Sequence, residues 1–167
     1  PTRRSSYLTD ADMLAPDKPT IIYALRGLAY FEVRVYGPNA DLHSGIFGGV
    51  VDNPANVLAK LVAGMHDENG TVTLPGFYDK VRKISAQESE DLSRIGMDDN
   101  FFKRITGVPA LGGEKNFPPV ERISARPTLD VNGFYAGYIE PGAETIIPAY
   151  AMAKISTRLV PDQEPKD

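Results

Sequence analysis

The sequence predicts an α+β fold in which an antiparallel sheet carries helices on one face. Three observations lead there. Apolar residues alternate with period two in three well-separated segments. One segment among them has the three-four spacing of an amphipathic helix. The order of elements is strand, helix, insertion, strand, strand, which is the first three-quarters of a split β-α-β arrangement. The final helix and strand of that arrangement have no counterpart before Asp167. With Pro1 at its start, the chain reads as a piece of a larger protein.

Composition limits the function classes. The 167 residues are 42% apolar and 24% charged, as in a soluble globular domain. That length can bury a core. No apolar run approaches the roughly 18 residues of a membrane span. A net charge of -4 speaks against a broadly basic nucleic-acid surface. With no cysteine, disulfides, thiolate chemistry and iron–sulfur clusters are excluded. Two histidines, His43 and His66, supply a catalytic zinc site only poorly.

The elements follow in order. Residues 1–20 are polar and punctuated by Pro16 and Pro19, an extended lead-in. Leu28 to Tyr36 alternates as a half-buried strand, with Phe31, Val33 and Val35 on one face and Glu32, Arg34 and Tyr36 on the other. Gly37-Pro38-Asn39 ends it. A helix is predicted from Asn53 to about Glu68. Asp52 or Asn53 caps it, Pro54 suits its first position, and Leu58, Leu61, Val62 and Met65 form its apolar stripe. This span places Gly64 inside the helix and His66 near its C-terminus, where the helix dipole favours an imidazolium.

An insertion, about 74–125, follows. Ser85 with Glu88 predicts a capped helix to about Ile95, and Asp98 or Asp99 starts a second that Gly107 ends. Thr128 to Asn132 reads as a strand with Leu129 and Val131 on one side. Ala149 to Val160 reads as another, with Ala153, Ile155, Thr157 and Leu159 opposed to Lys154, Ser156 and Arg158. Gly133, Gly137, Pro141 and Gly142 shape an irregular connection between them. Asn69-Gly70-Thr71 matches a glycosylation acceptor pattern but reads first as a turn.

A few residues carry candidate chemistry. His43 lies in a loop with Gly45, Gly48 and Gly49 close behind. A histidine so placed can donate to a developing oxyanion; the plainer reading is a hydrogen bond to a nearby carboxylate such as Asp41. Ser44 is adjacent to His43 and lacks a nucleophile-elbow pattern, so a serine nucleophile is rejected. Arg158 suits two-pronged capture of a carboxylate, or a surface ion pair. Thr145 offers a hydroxyl just before Ile146-Ile147-Pro148. The glycines match neither phosphate-binding motif.

Several blocks together resemble one family. They are Leu25-Arg26-Gly27-Leu28-Ala29-Tyr30-Phe31-Glu32-Val33, Asp41-Leu42-His43-Ser44-Gly45, Asn53-Pro54-Ala55-Asn56, Arg126-Pro127-Thr128-Leu129-Asp130-Val131-Asn132-Gly133, Thr145-Ile146-Ile147-Pro148-Ala149 and Ser156-Thr157-Arg158-Leu159-Val160-Pro161. In order, they resemble the dimerisation, or lid, domain of the zinc aminoacylase/carboxypeptidase metallopeptidases. The carnosine-type dipeptidase branch fits best; glutamate carboxypeptidase and succinyl-diaminopimelate desuccinylase belong to the same family.

The resemblance implies a ferredoxin-like lid spanning 23–161, preceded by the end of a catalytic segment (1–22) and followed by a truncated tail (162–167). It implies homodimers, a parent enzyme with two zinc ions that hydrolyses dipeptides or N-acyl amino acids, and a cytoplasmic location. It assigns to His43 oxyanion stabilisation across the dimer, to Arg158 the substrate carboxylate, to Thr145 a place in the same pocket, and to Asp10 one orphan zinc ligand. One carboxylate cannot hold zinc in an ordinary site, so the chain alone is expected inactive and without zinc. The other reading is a free-standing ferredoxin-like binding or regulatory module. No nucleic-acid or membrane partner is expected.

Overall fold

The computed structural model describes residues 20–166. In chain order its elements are β1 (Gly27–Tyr36), β2 (Leu42–His43), α1 (Ser44–Phe47), α2 (Pro54–Ala63), α3 (Ala86–Ser93), α4 (Asp99–Thr106), α5 (Pro119–Ser124), β3 (Thr128–Ala136), β4 (Ile146–Ile147) and β5 (Tyr150–Leu159). A three-stranded antiparallel sheet has the order β1-β5-β3, so the last strand in sequence is central. The two-residue strands β2 and β4 pair separately.

Burial along β5 explains why it is central. Ala151, Ala153, Ile155, Thr157 and Leu159 are buried and alternate with exposed or half-buried residues. The buried row faces α2, whose Leu58 is fully buried against it. Val33 and Val35 of β1 lie opposite Ala153 and Ala151 and join the same core. Leu129 of β3 lies opposite Thr157. The other face carries Tyr150, Lys154 and Arg158 of β5 beside Tyr36, Glu32 and Leu28 of β1. On it the Tyr36 and Tyr135 rings lie 6.4 and 5.8 Å from that of Tyr150. The three rings stay exposed, and the main helix contacts of the sheet come from α2.

The strands match the expected periodicity. β3 runs four residues longer than expected, through a register shift between Val131 and Gly133. The bulge absorbs Asn132 and lets the ladder continue past the predicted stop.

Helix α2 is capped as expected, with Asn53 Oδ1 accepting from Ala55 N at 2.9 Å and Pro54 in the first turn. It ends at Ala63 rather than about Glu68. Gly64 is its C-cap, not an interior residue. The chain then reverses. Thr73 N donates to Met65 O at 3.0 Å, and His66 bridges Val72 antiparallel. His66 is therefore a β-bridge residue beyond the turn that follows α2, and not at a helix end.

Both expected insertion helices are present as α3 and α4. Ser85 Oγ accepts from Glu88 N at 3.1 Å, and Asp98 Oδ1 from Phe101 N at 2.8 Å. The Glu88 carboxylate accepts from Tyr23 OH at 3.2 Å. A third short helix, α5, was not predicted; Pro118-Pro119 starts it without a side-chain cap. The insertion is pinned by a half-buried ion pair. Arg126 Nε and Nη2 donate to the two Glu114 oxygens, each at 2.7 Å. The guanidinium sits 4.2 Å over the Phe117 ring and 5.1 Å over that of Tyr78.

Candidate functional site

His43 stands at the junction of β2 and α1. Pairing of β2 with β4 puts His43 opposite Ile146. Ser44 N donates to Thr145 O at 2.9 Å, closing the ladder beside the histidine. These bonds bring together two side chains that are 102 positions apart, with His43 Nε2 3.2 Å from Thr145 Oγ1.

The ring's other nitrogen settles its donor pattern. Gly45 N donates to His43 Nδ1 at 2.9 Å. An Nδ1 that accepts carries no hydrogen, so in the neutral ring the N–H is on Nε2. Nε2–H then donates to Thr145 Oγ1, and the threonine's own O–H remains to donate outward. The exposed pair thus offers one outward hydrogen, that of Thr145, and a second from Nε2 when an acceptor oxygen such as a carbonyl or an oxyanion displaces Thr145 Oγ1 from it. Asp41 is not the partner of His43. Its Oδ1 accepts from Ala149 N at 2.7 Å and ties the loop to the start of β5. Gly37 N donates to Ala149 O at 2.8 Å on the same connection.

Arg158 lies elsewhere. On β5 it is opposite Leu28 of β1 and Thr128 of β3, exposed on the open face. Eight positions of strand separate it from Tyr150, roughly 26 Å at about 3.3 Å per residue. The histidine loop joins the sheet at the Tyr36–Tyr150 end. The structure therefore brings His43 to Thr145 but leaves Arg158 at the opposite end of the sheet. Among the described residues no carboxylate forms an ion pair with Arg158. Its charged neighbour is Arg26, whose half-buried guanidinium donates to the carbonyls of Arg122 at 3.3 Å and Arg126 at 3.0 Å. Burial first, then the Arg158 charge, lowers the Arg26 pKa. Asp10 lies outside the described residues. Among the described residues no three His, Asp or Glu side chains form a group able to hold a metal ion.

Sequence reasoning missed Gly45 as the ring's partner and Asp41 as the tie to Ala149. The nearness of Gly45 to His43 was the available signal for the first. The second depends on tertiary pairing across 108 positions and has no local signal.

The arrangement of strands, helices and insertion recurs in known proteins. The family described as "Peptidase dimerisation domain" matches residues 23–167. This chain belongs to that family. The dimerisation domain is 32% identical over 159 residues to the Cys-Gly metallodipeptidase DUG1 of Candida albicans, covering 95% of this chain and 33% of that protein. It is 32% identical over 158 residues to the Beta-Ala-His dipeptidase of Mus musculus, covering 95% and 32%. A solved M20 family metallo-carboxypeptidase from Sulfolobus solfataricus superposes with a TM-score of 0.77 at 35% identity, covering 89% of this chain and 38% of that one. The chain spans about a third of the length of the curated relatives it matches.

Proposed function

We propose that this chain is the dimerisation and substrate-capping lid of a zinc-dependent dipeptidase that hydrolyses amide bonds of dipeptides or N-acyl amino acids. The observation that carries the reading is the His43–Thr145 pair, an exposed set of hydrogen donors held rigid by a two-stranded ladder. In amide hydrolysis the substrate carbonyl becomes an oxyanion. Nε2–H of His43 turns from Thr145 Oγ1 to meet that charge as it develops, and Thr145 O–H adds a second donor. Arg158 grips the free carboxylate of the substrate's C-terminal residue.

The two jobs fall to different chains of a homodimer. Two extended residues span at most about 7 Å, whereas one chain holds Arg158 and the His43 loop at opposite ends of its sheet. A single bound dipeptide is therefore served by His43 and Thr145 of one protomer and by Arg158 of the other.

Among the described residues no three His, Asp or Glu side chains gather into a zinc site. The metal and the activation of water are assigned to the parent enzyme outside this domain, with Asp10 contributing one ligand. We place domain limits at 1–22, 23–161 and 162–167, and the homodimer in the cytoplasm. Among the described residues no helix is long and apolar enough to cross a membrane.

A ferredoxin-like completion of the sheet fits the same reading. Beside the 74–80 loop, Ala29, Phe31, Thr157 and Leu159 line an open groove of about 480 Å³. The buried Thr157 Oγ1 has no hydrogen-bond partner. A second helix of the split β-α-β arrangement lies on this half of the sheet, and its last strand pairs with β1. The free-standing module reading gains nothing from relatives about three times as long.

Kinetics of the full-length enzyme test the assignment. His43→Ala lowers kcat by roughly 10²-fold or more, the effect of losing one oxyanion donor, with a smaller change in KM. Arg158→Ala acts chiefly on KM. Wild-type kinetics in either variant would remove that residue from the site.

A further inference from the structure

The imidazole of His43 packs against a residue that has no side chain. Gly45 N donates to Nδ1 at 2.9 Å. A Cβ added at Gly45 would lie 2.7 Å from Cε1 and 2.9 Å from Nδ1 of the ring, closer than real Cβ atoms approach. Gly45 is not among the positive-φ glycines, so the local backbone does not itself demand glycine. The ring does. In sequence the same residue reads only as part of a glycine-rich loop.

We infer that Gly45 is a positioning residue for His43. Its N–H and its missing side chain hold the ring as the Nε2–H tautomer and aim that hydrogen toward Thr145. Were the ring turned over, or its hydrogen moved to Nδ1, the Gly45 N–H would face another donor or none. His43 therefore enters the site as a hydrogen donor through Nε2 and not as a base there. That hydrogen rests on Thr145 Oγ1, so a ligand takes it with an acceptor oxygen, such as a carbonyl, carboxylate or oxyanion, that replaces the threonine. The value of this to catalysis rests on the lid reading above; the tautomer does not.

The intact protein, labelled with 15N at histidine, gives the test. Long-range 1H–15N correlations report which ring nitrogen is protonated, and the signals missing from His43→Gln identify this ring. The expected pattern at neutral pH is a protonated Nε2 and a bare Nδ1. A protonated Nδ1, or a ring averaging both tautomers, overturns the proposal whether or not any variant folds. Gly45→Ala keeps the N–H but drives a methyl into the ring, and should shift or mix the pattern. Ser44→Ala, which keeps the backbone bonds of the loop, should leave it alone. Unchanged ring signals in Gly45→Ala would also overturn the proposal. In turnover, Gly45→Ala should lower kcat by up to about 10²-fold with KM nearly constant, as for a misplaced catalytic group. A locked wild-type ring combined with unimpaired turnover in His43→Ala would sink the oxyanion role and uphold the positioning one.

Discussion

Asp67 shows how much one side chain can organise. Its Oδ1 accepts from Asn69 N and Thr71 N, both at 2.8 Å, and its carbonyl accepts from Gly70 N at 3.0 Å. The turn so formed docks on the insertion through Lys115 N to Asn69 O at 2.9 Å. The Thr71 N–H, aided by that of Asn69, lowers the Asp67 pKa below the ordinary carboxylate value. A folded-state pKa below the unfolded one gives stability that is complete above the unfolded value and is lost as pH falls through the folded one. Asp67→Asn should therefore lower Tm near neutrality, where the charged carboxylate contributes in full, and converge on the wild type as pH falls below about 5, flattening part of the acid limb. An identical acid limb in both proteins would refute the coupling. At this scale the sequence is legible where a residue acts on near neighbours, as Asn53, Ser85 and Asp98 do in capping helices. It is opaque where partners are distant. His43 and Thr145 entered separately, each from its own surroundings, and only a family resemblance put them in one pocket, because no local pattern links positions 102 apart.

Among elements, α2 was legible because three signals agree on its start: a cap, a proline and an apolar stripe. Its end was misplaced because the stripe continues through Met65, which packs on the core from the turn beyond the helix. Periodicity reports which residues are buried, not whether the backbone there is still helical. Helix α5 went unseen because it has six residues and begins on Pro118-Pro119, a pair that reads as loop. The anchor of α2 is Leu58, fully buried between the helix and β5. Leu58→Ala should cost about 3 kcal/mol, within the usual range for a buried leucine, and lower the midpoint of urea unfolding without changing its slope. A loss under about 1 kcal/mol would mean that the site collapses around the cavity or that α2 is not held through this residue.

For the whole molecule, the decisive feature is the central position of β5. One strand carries Arg158 at one end and meets the His43 loop at the other, so on the proposed function each chain holds two half-sites and no complete one. Mixing two impaired variants, at substrate concentrations where Arg158→Ala turns over little, reads this directly. In a heterodimer of His43→Ala and Arg158→Ala chains, one site has both defects and the other has neither. Random pairing in a two-fold dimer should restore about a quarter of wild-type activity. No recovery, with heterodimers demonstrated, would place both residues in the same chain's site. The order of elements along the chain was legible from the periodic segments, but the spatial order that puts β5 in the middle, and with it the separation of Arg158 from His43, was not. The same sheet has an optical consequence. The chain has no tryptophan, so its near-ultraviolet emission is tyrosine emission. Three tyrosines stand together on the uncovered face, with Tyr150 6.4 Å or less from each neighbour. Anything that settles there changes the solvent and the energy transfer around those rings, giving the domain a built-in, label-free reporter of what covers its sheet.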